Sequence, residues 1–454
     1  MGEQHPAQSS TCPLGAVDRR LADAHRLWHQ AEAAYFDPDG FRLAVQNAIQ
    51  TLRSVTFILQ RHKGAIPNFD QWYGDYVDEK HGKRGEWQVR LHADPLMRWM
   101  VEARNRIEKQ ADLEAHSFVR AEIIASYLDE GPRIEILATL FQSPRNLLRT
   151  IPAGALGQHV RRNGVLRLQR RWVENTLPDY ELLDAIAIAF GKLTELVHDA
   201  HRQIGLSPPR MIHDDAGESY DRPAMGWRFP CMIAHDLPRT ADFALADGSR
   251  IEFEEKRVRK EVTPADVANF LRDLDTDPSG VMWQKYNNYE ELSAGYFEMF
   301  RSVFVRDHYH ISMLWFRNMK PIKQMQIIVE NTQQKYLLMR QLANEVTKTG
   351  ADAAMRVGES WMESAENLRL YERPADSPSR REALRADLVS KHGDPIECIA
   401  MINRDGDDVS LEETVINTGG AAFEFAHFYR AWGRSIPHSW IETNIALMAR
   451  AKSD

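Results

Sequence analysis

The stretch Asp94-Pro95-Leu96-Met97-Arg98-Trp99-Met100-Val101-Glu102-Ala103-Arg104-Asn105-Arg106-Ile107-Glu108-Lys109 decides how the N-terminal third is read. Aspartate caps helices well and proline suits the first helical position. Leu96, Trp99, Met100, Ala103 and Ile107 recur at spacings of three and four, the stripe of an amphipathic helix. Working back along the chain, helical character runs from near Val17 to Tyr35 and breaks at Asp37-Pro38-Asp39-Gly40. Phe41, Val45, Ile49, Leu52 and Leu59 form a second stripe that closes at Gly64. Residues 65–90 read as a loop anchored by Phe69, Trp72, Tyr73 and Trp87. A further helix is predicted from about 113 to 128, before Gly131-Pro132. Four helices over 17–130 make a helical bundle, preceded by a flexible segment, 1–16.

Working forward, residues 131–261 read as an arginine-rich and helical connector with a β-hairpin. Eight arginines (Arg133, Arg145, Arg149, Arg161, Arg162, Arg167, Arg170 and Arg171) stand against the single acid Glu135 between Gly131 and Val173. A long helix is predicted over 180–204, stopped by Ser207-Pro208-Pro209. Residues 241–246 and 249–258 alternate around Asp247-Gly248, a hairpin signal. Residues 262–454 read as a mixed α/β domain with C-terminal helices. Strands are predicted at 308–316, 325–329, 353–357, 383–389 and 397–402, with helices at 290–303 and 335–348. The order suggests a small sheet with helices on one face. The fold class is therefore α+β: a helical bundle, a connector and a mixed α/β domain.

Composition bounds the function classes. The 454 residues carry 57 Lys+Arg and 65 Asp+Glu, a net charge of −8, and 43% are hydrophobic. That balance excludes a mainly disordered chain and a protein coated in nucleic acid. No apolar run reaches the roughly 18 residues a membrane span needs, so no membrane partner is expected. The three cysteines, Cys12, Cys231 and Cys398, are far apart in sequence. They suggest no disulfide framework or zinc knuckle. A cytoplasmic protein with no cofactor and no metal site is expected.

The end of the first stretch carries a resemblance. Arg104, Asn105 and the residues to Lys109 resemble the Arg-polar-x-x-x-His signature of the HEPN superfamily, helical bundles of prokaryotic defence and toxin systems. The resemblance covers about residues 18–130. It implies a metal-independent RNase site, usually built across a homodimer, with Arg104, Asn105 and Lys109 in the catalytic positions. An arginine fork there would hold a phosphate and offset charge developing in cleavage. Histidine would move the proton, but Lys109 stands in its place. A solvated lysine titrates near ~10.4 and is a poor general base at neutral pH. The site so read is degenerate or altered, in a protein of RNA-linked defence or stress response. On plain helix chemistry, Arg104 instead pairs with Glu108 one turn on, and Asn105 helps to end the helix.

Other constellations carry weaker chemistry. Arg161, Arg162, Arg167, Arg170 and Arg171 form a strip suited to phosphate contact with RNA, with Trp172 available for stacking; the bland alternative is an arginine-laced bridge to acids. Glu254-Glu255-Lys256 with Asp242 faintly resembles a metal-dependent nuclease pattern. A two-residue turn, however, sets Asp242 opposite Phe253 and Glu254 on the other face. His308 and His310, one apart in a predicted strand, could edge a metal site, with Glu359 or His427 as further ligands. Gly419-Gly420 lacks a phosphate-loop pattern. A non-catalytic dimeric sensor or interaction protein is the alternative to the RNase, and a metal-dependent nuclease is the third reading.

Overall fold

The computed structural model describes residues 12–74, 85–110, 113–128, 133–136, 143–150, 157–213, 218–233, 235, 238–253, 285–318, 320–364, 367, 374–420 and 422–450, with a few single positions between 265 and 281. Glu254, Glu255 and Lys256 lie outside the described residues.

The helices are α1 (Gly15–Ala33), α2 (Pro38–Arg61), α3 (Phe69–Trp72), α4 (Glu86–Ala93), α5 (Pro95–Gln110), α6 (Pro144–Thr150), α7 (Gln158–Asn163), α8 (Leu182–Gln203), α9 (Tyr289–Asp307), α10 (Thr332–Thr349), α11 (Ala426–Ala431) and α12 (His438–Arg450). The strands are β1 (Ala115–Ile124), β2 (Arg133–Ile136), β3 (Val165–Glu174), β4 (Met211–His213), β5 (Ser219–Asp221), β6 (Arg239–Ala244), β7 (Arg250–Ile251), β8 (Met313–Asn318), β9 (Lys320–Gln326), β10 (Ala353–Met362), β11 (Arg381–Ser390), β12 (Ile396–Asp405), β13 (Asp408–Leu411) and β14 (Val415–Thr418). The fold is α+β, as the sequence pattern predicts. The chain divides into two units. The first comprises Met1–Ala121, Ile134–Ile151 and Arg167–Ala241; the second comprises Glu122–Arg133, Pro152–Leu166 and Asp242–Asp454.

In the first unit, α1 and α2 pack along each other and against α8. The apolar stripe of α1 (Val17, Leu21, Ala24, Trp28 and Ala31) is buried, and so is that of α2. Buried α8 presents apolar side chains nearly all round, which suits a central helix. Trp28 donates its indole N–H to the Leu183 carbonyl at 2.8 Å, which ties α1 to the start of α8. Trp172 stacks on Phe41 with centroids 4.9 Å apart and donates to the Tyr35 carbonyl. Asp94 caps α5 as expected, accepting from the Met97 amide at 3.1 Å, and pairs with Lys192 of α8.

The segment expected as a fourth bundle helix is β1 instead. Ala115, Ser117, Val119, Ala121 and Ile123 are buried in alternation with more exposed His116, Phe118, Arg120 and Glu122. That period of two belongs to a strand. β1 lies in a five-stranded sheet of order β2-β1-β3-β6-β7.

The second unit is built on a seven-stranded sheet of order β13-β12-β11-β10-β8-β9, with β14 beside β12. The pairs among these strands are antiparallel, for example Ala354 with Val389 and Phe316 with Ala354. Helices cover both faces, where the sequence suggested one. Tyr296, Phe297, Phe300 and Phe304 of α9 pack on Trp315, Met355, Val357 and Leu384. Met339, Leu342 and Val346 of α10 pack with Leu314, Phe316, Ala354 and Val389, as do Phe425 and Phe428. Both sets of alternate side chains along β8 and β10 are apolar, so each face needs a cover. Asn331 caps α10 through the Gln334 amide at 2.9 Å, Gln334 returns a bond to the Glu330 amide, and Gly350 closes the helix at φ +65°.

Candidate metal centre

The first unit brings His25, His29 and Cys231 together, with one ligating atom of each within 4.8 Å of the others. His25 and His29 stand four residues apart on α1, so helix geometry sets their rings on one face. Their centroids are 4.7 Å apart. Cys231 comes from the short 3-10 turn Pro230–Met232, in which Met232 is buried and Cys231 exposed. His25 Nε2 lies 3.2 Å from Cys231 Sγ. Around a tetrahedral zinc with bonds of about 2.3 Å to sulfur and about 2.0 Å to nitrogen, those atoms would stand about 3.5 Å apart. The His25–Cys231 distance is thus within ~0.3 Å of the one a shared zinc would set.

The loop that carries Cys231 is set by close backbone approach. A Cβ on Gly191 of α8 would lie 2.1 Å from the Gly226 carbonyl oxygen, so only glycine admits the loop here. Gly226 and Trp227 both adopt φ +62°, and the Trp227 amide returns to the Arg222 carbonyl at 2.7 Å. Phe229 then meets the His25 ring at 4.4 Å, with Phe190 of α8 at 5.9 Å.

Partners outside the cluster orient it. His29 Nδ1 and Glu32 Oε2 are 2.9 Å apart, and Arg239 donates to the other Glu32 oxygen at 3.1 Å. With Nδ1–H engaged by the carboxylate, the lone pair of His29 resides on Nε2, the carboxylate–histidine arrangement of metal sites. His235 meets the Cys231 carbonyl at 2.7 Å and contacts Arg239. Two neutral imidazoles and one thiolate suit zinc, and three protein ligands leave a fourth position for water or a small molecule.

The neighbouring support is also buried and polar. Glu181, fully buried before α8, accepts from the Asp184 amide at 3.0 Å and from the Tyr35 hydroxyl at 3.1 Å. Burial pushes its carboxyl up to about 7.

The residues singled out in the sequence lie elsewhere. Arg104 is on α5, ion-paired with Glu108 at 2.5 Å and bonded to Asn105 Oδ1 at 3.2 Å; Lys109 is exposed. Arg170 is fully buried on β3, with its guanidinium 5.1 Å from the Trp172 ring centroid, and burial lowers its pKa to about 10. Arg167 and Arg171 point to the opposite face of the same strand, half-exposed, and Arg161 and Arg162 end α7 exposed. Arg170 therefore shares no face with Arg167 and Arg171.

Asp242 pairs with Ile251, because the turn between β6 and β7 is longer than two residues and closes through the Ala244 amide on the Ser249 carbonyl. His308 is the left-handed cap of α9 and His310 packs on Phe300, so they form no strand pair. Among the described residues, neither enters a cluster of three potential metal ligands.

Sequence reasoning missed His25 and His29, although His-x-x-x-His lay within the predicted first helix. Cys231 is 206 residues from His25 and carries no local signal.

Fold and site first define the class: an α+β protein with a histidine–cysteine ligand cluster in its helical unit. The chain belongs to the family described as Bacteriophage lambda protein ea47, whose model matches residues 4–446. Protein ea47 of Escherichia phage lambda is 30% identical over 358 residues, which cover 77% of this chain and 79% of that protein. No solved structure matches.

These findings overturn the HEPN resemblance: no HEPN family matches, and the ea47 family accounts for nearly the whole chain. The degenerate RNase and the RNA-linked defence or stress role fall with it. RNA as a partner and the homodimer inferred from the bundle have no support left. Among the described residues, no helix is long and apolar enough to cross a membrane.

Proposed function

We propose that this ea47-family chain is a zinc-binding protein of a reducing cytoplasm. It holds one ion through His25, His29 and Cys231, with a fourth position open to water or a small ligand. The observation that carries the reading is the convergence of an i, i+4 histidine pair and a distant cysteine, with His29 already oriented by Glu32. The exposed thiol favours a reducing compartment, since it ligates as a thiolate and is lost on oxidation. Zinc titration against a competing chelator tests the reading. Removing a ligand by Cys231→Ser or His29→Ala is expected to abolish tight binding at this centre. Glu32→Gln, which only loosens the orientation, is expected to weaken it by about 10-fold. Wild-type affinity in a Cys12→Ser/Cys231→Ser double variant would overturn the assignment.

A further inference from the structure

We infer that the same helix carries a second, buried zinc centre formed by Cys12, Asp18 and His201. This goes beyond the exposed centre and does not depend on it. Cys12 lies just before α1, Asp18 in its first turn and His201 in the last turn of α8. The three ligating atoms all lie within 4.8 Å of one another. His201 Nε2 is 3.5 Å from Cys12 Sγ and 3.2 Å from Asp18 Oδ2. Neighbouring ligands of a tetrahedral zinc stand about 3.5 Å apart for nitrogen and sulfur, and about 3.3 Å apart for nitrogen and oxygen. Both distances already fit.

Two further observations point to a cation. His201 donates Nδ1–H to the Val197 carbonyl at 2.8 Å, which leaves Nε2 to ligate, as outer partners do in metal sites. Asp18 is 6% exposed, and its Oδ2 is a buried oxygen without a hydrogen bond. Its neighbour of opposite charge is His201 Nε2 at 3.2 Å, so a bound ion would sit between the two and replace that pair. A carboxylate oxygen so placed is costly unless a cation meets it. Thiolate, imidazole and carboxylate together suit zinc better than calcium or magnesium, which prefer oxygen.

Asp18, His25 and His29 fall on one stripe of α1, at spacings of seven and four. At 1.5 Å rise per residue, Asp18 and His25 are separated by about 10 Å along the axis. That is too far for the ~4 Å of a two-metal site, so the centres are separate ions. The buried one would clip the start of α1 to the end of α8.

Zinc stoichiometry by native mass spectrometry and elemental analysis of the full chain tests the inference. Wild type is expected to hold two ions. Cys12→Ser and Asp18→Asn are each expected to hold one, as is Cys231→Ser, and Cys12→Ser/Cys231→Ser none. If wild type holds one ion that Cys12→Ser keeps and Cys231→Ser loses, the buried centre is overturned and the exposed one stands. The converse pattern overturns the exposed centre alone. Should Asp18→Asn fail to fold, Cys12→Ser decides, because Cys12 is only half-buried and precedes the first helix.

Discussion

Raising the pH from 4.5 to about 7 should destabilise this protein through the buried side chain Glu181. Glu181 is fully buried, and its carboxyl is pushed from the ordinary 4.5 to about 7, with burial the largest cause. The unfolded chain releases this proton near 4.5, whereas the folded chain keeps it until about 7. Between those values the native state binds more protons at this site, so the stability that Glu181 contributes falls as pH rises and levels off above about 7. At ~1.4 kcal/mol per unit, the shift corresponds to about 3 kcal/mol across that window. Glu181→Gln removes the titration while keeping an acceptor for either the Asp184 amide or the Tyr35 hydroxyl, at a cost of ~1 kcal/mol for the bond lost. Urea unfolding of both proteins at pH 5, 6, 7 and 8, at fixed zinc, reads the effect. The stability of wild type minus variant should be largest at pH 5 and decline by roughly 2.5 kcal/mol to pH 8. A difference constant to within about 0.5 kcal/mol over that range would mean that the Glu181 carboxyl is not raised in the folded chain.

Two smaller perturbations follow from the same packing. Gly191→Ala places a methyl group against the Gly226 carbonyl, so it should cost about 1–3 kcal/mol. By moving the loop, it should also weaken zinc at the exposed centre more than at the buried one, as chelator competition in the Cys12→Ser and Cys231→Ser backgrounds would show. Arg104→Ala removes a partly exposed i, i+4 pair with Glu108 and a hydrogen bond to the adjacent Asn105. Its unfolding midpoint should correspond to a loss of no more than about 0.5 kcal/mol, and a much larger loss would mean that Arg104 has a structural role beyond this pair.

Local chemistry made some elements legible. Asn331 to Gly350 carries its own cap, its apolar stripe and its terminating glycine, so α10 could be placed to within a few residues. The same holds for the helix opened by Asp94-Pro95. The segment 113–128 was misleading because its apolar residues fit a helical stripe as well as an alternation, and only pairing within a sheet selects the latter. The hairpin around Asp247-Gly248 was recognised, but its register depends on loop length, which the dipeptide does not determine. The five arginines looked like one basic strip in a linear reading. Alternation along β3 buries Arg170 and turns Arg167 and Arg171 the other way. His25 and His29 were visible as a pair four residues apart. Their significance was not, because folding of the 226–232 loop against Gly191 supplies Cys231 from far along the chain.

Cobalt substitution of the Cys12→Ser protein isolates the centre at His25, His29 and Cys231, since of the two centres only this one can then offer a thiolate. The protein should show a thiolate-to-cobalt charge-transfer band with tetrahedral d–d absorption, displaced by one equivalent of zinc and absent when Cys231→Ser is added. A Cys12→Ser protein that shows no such band, or one that keeps it after Cys231→Ser, would contradict a metal centre at His25, His29 and Cys231.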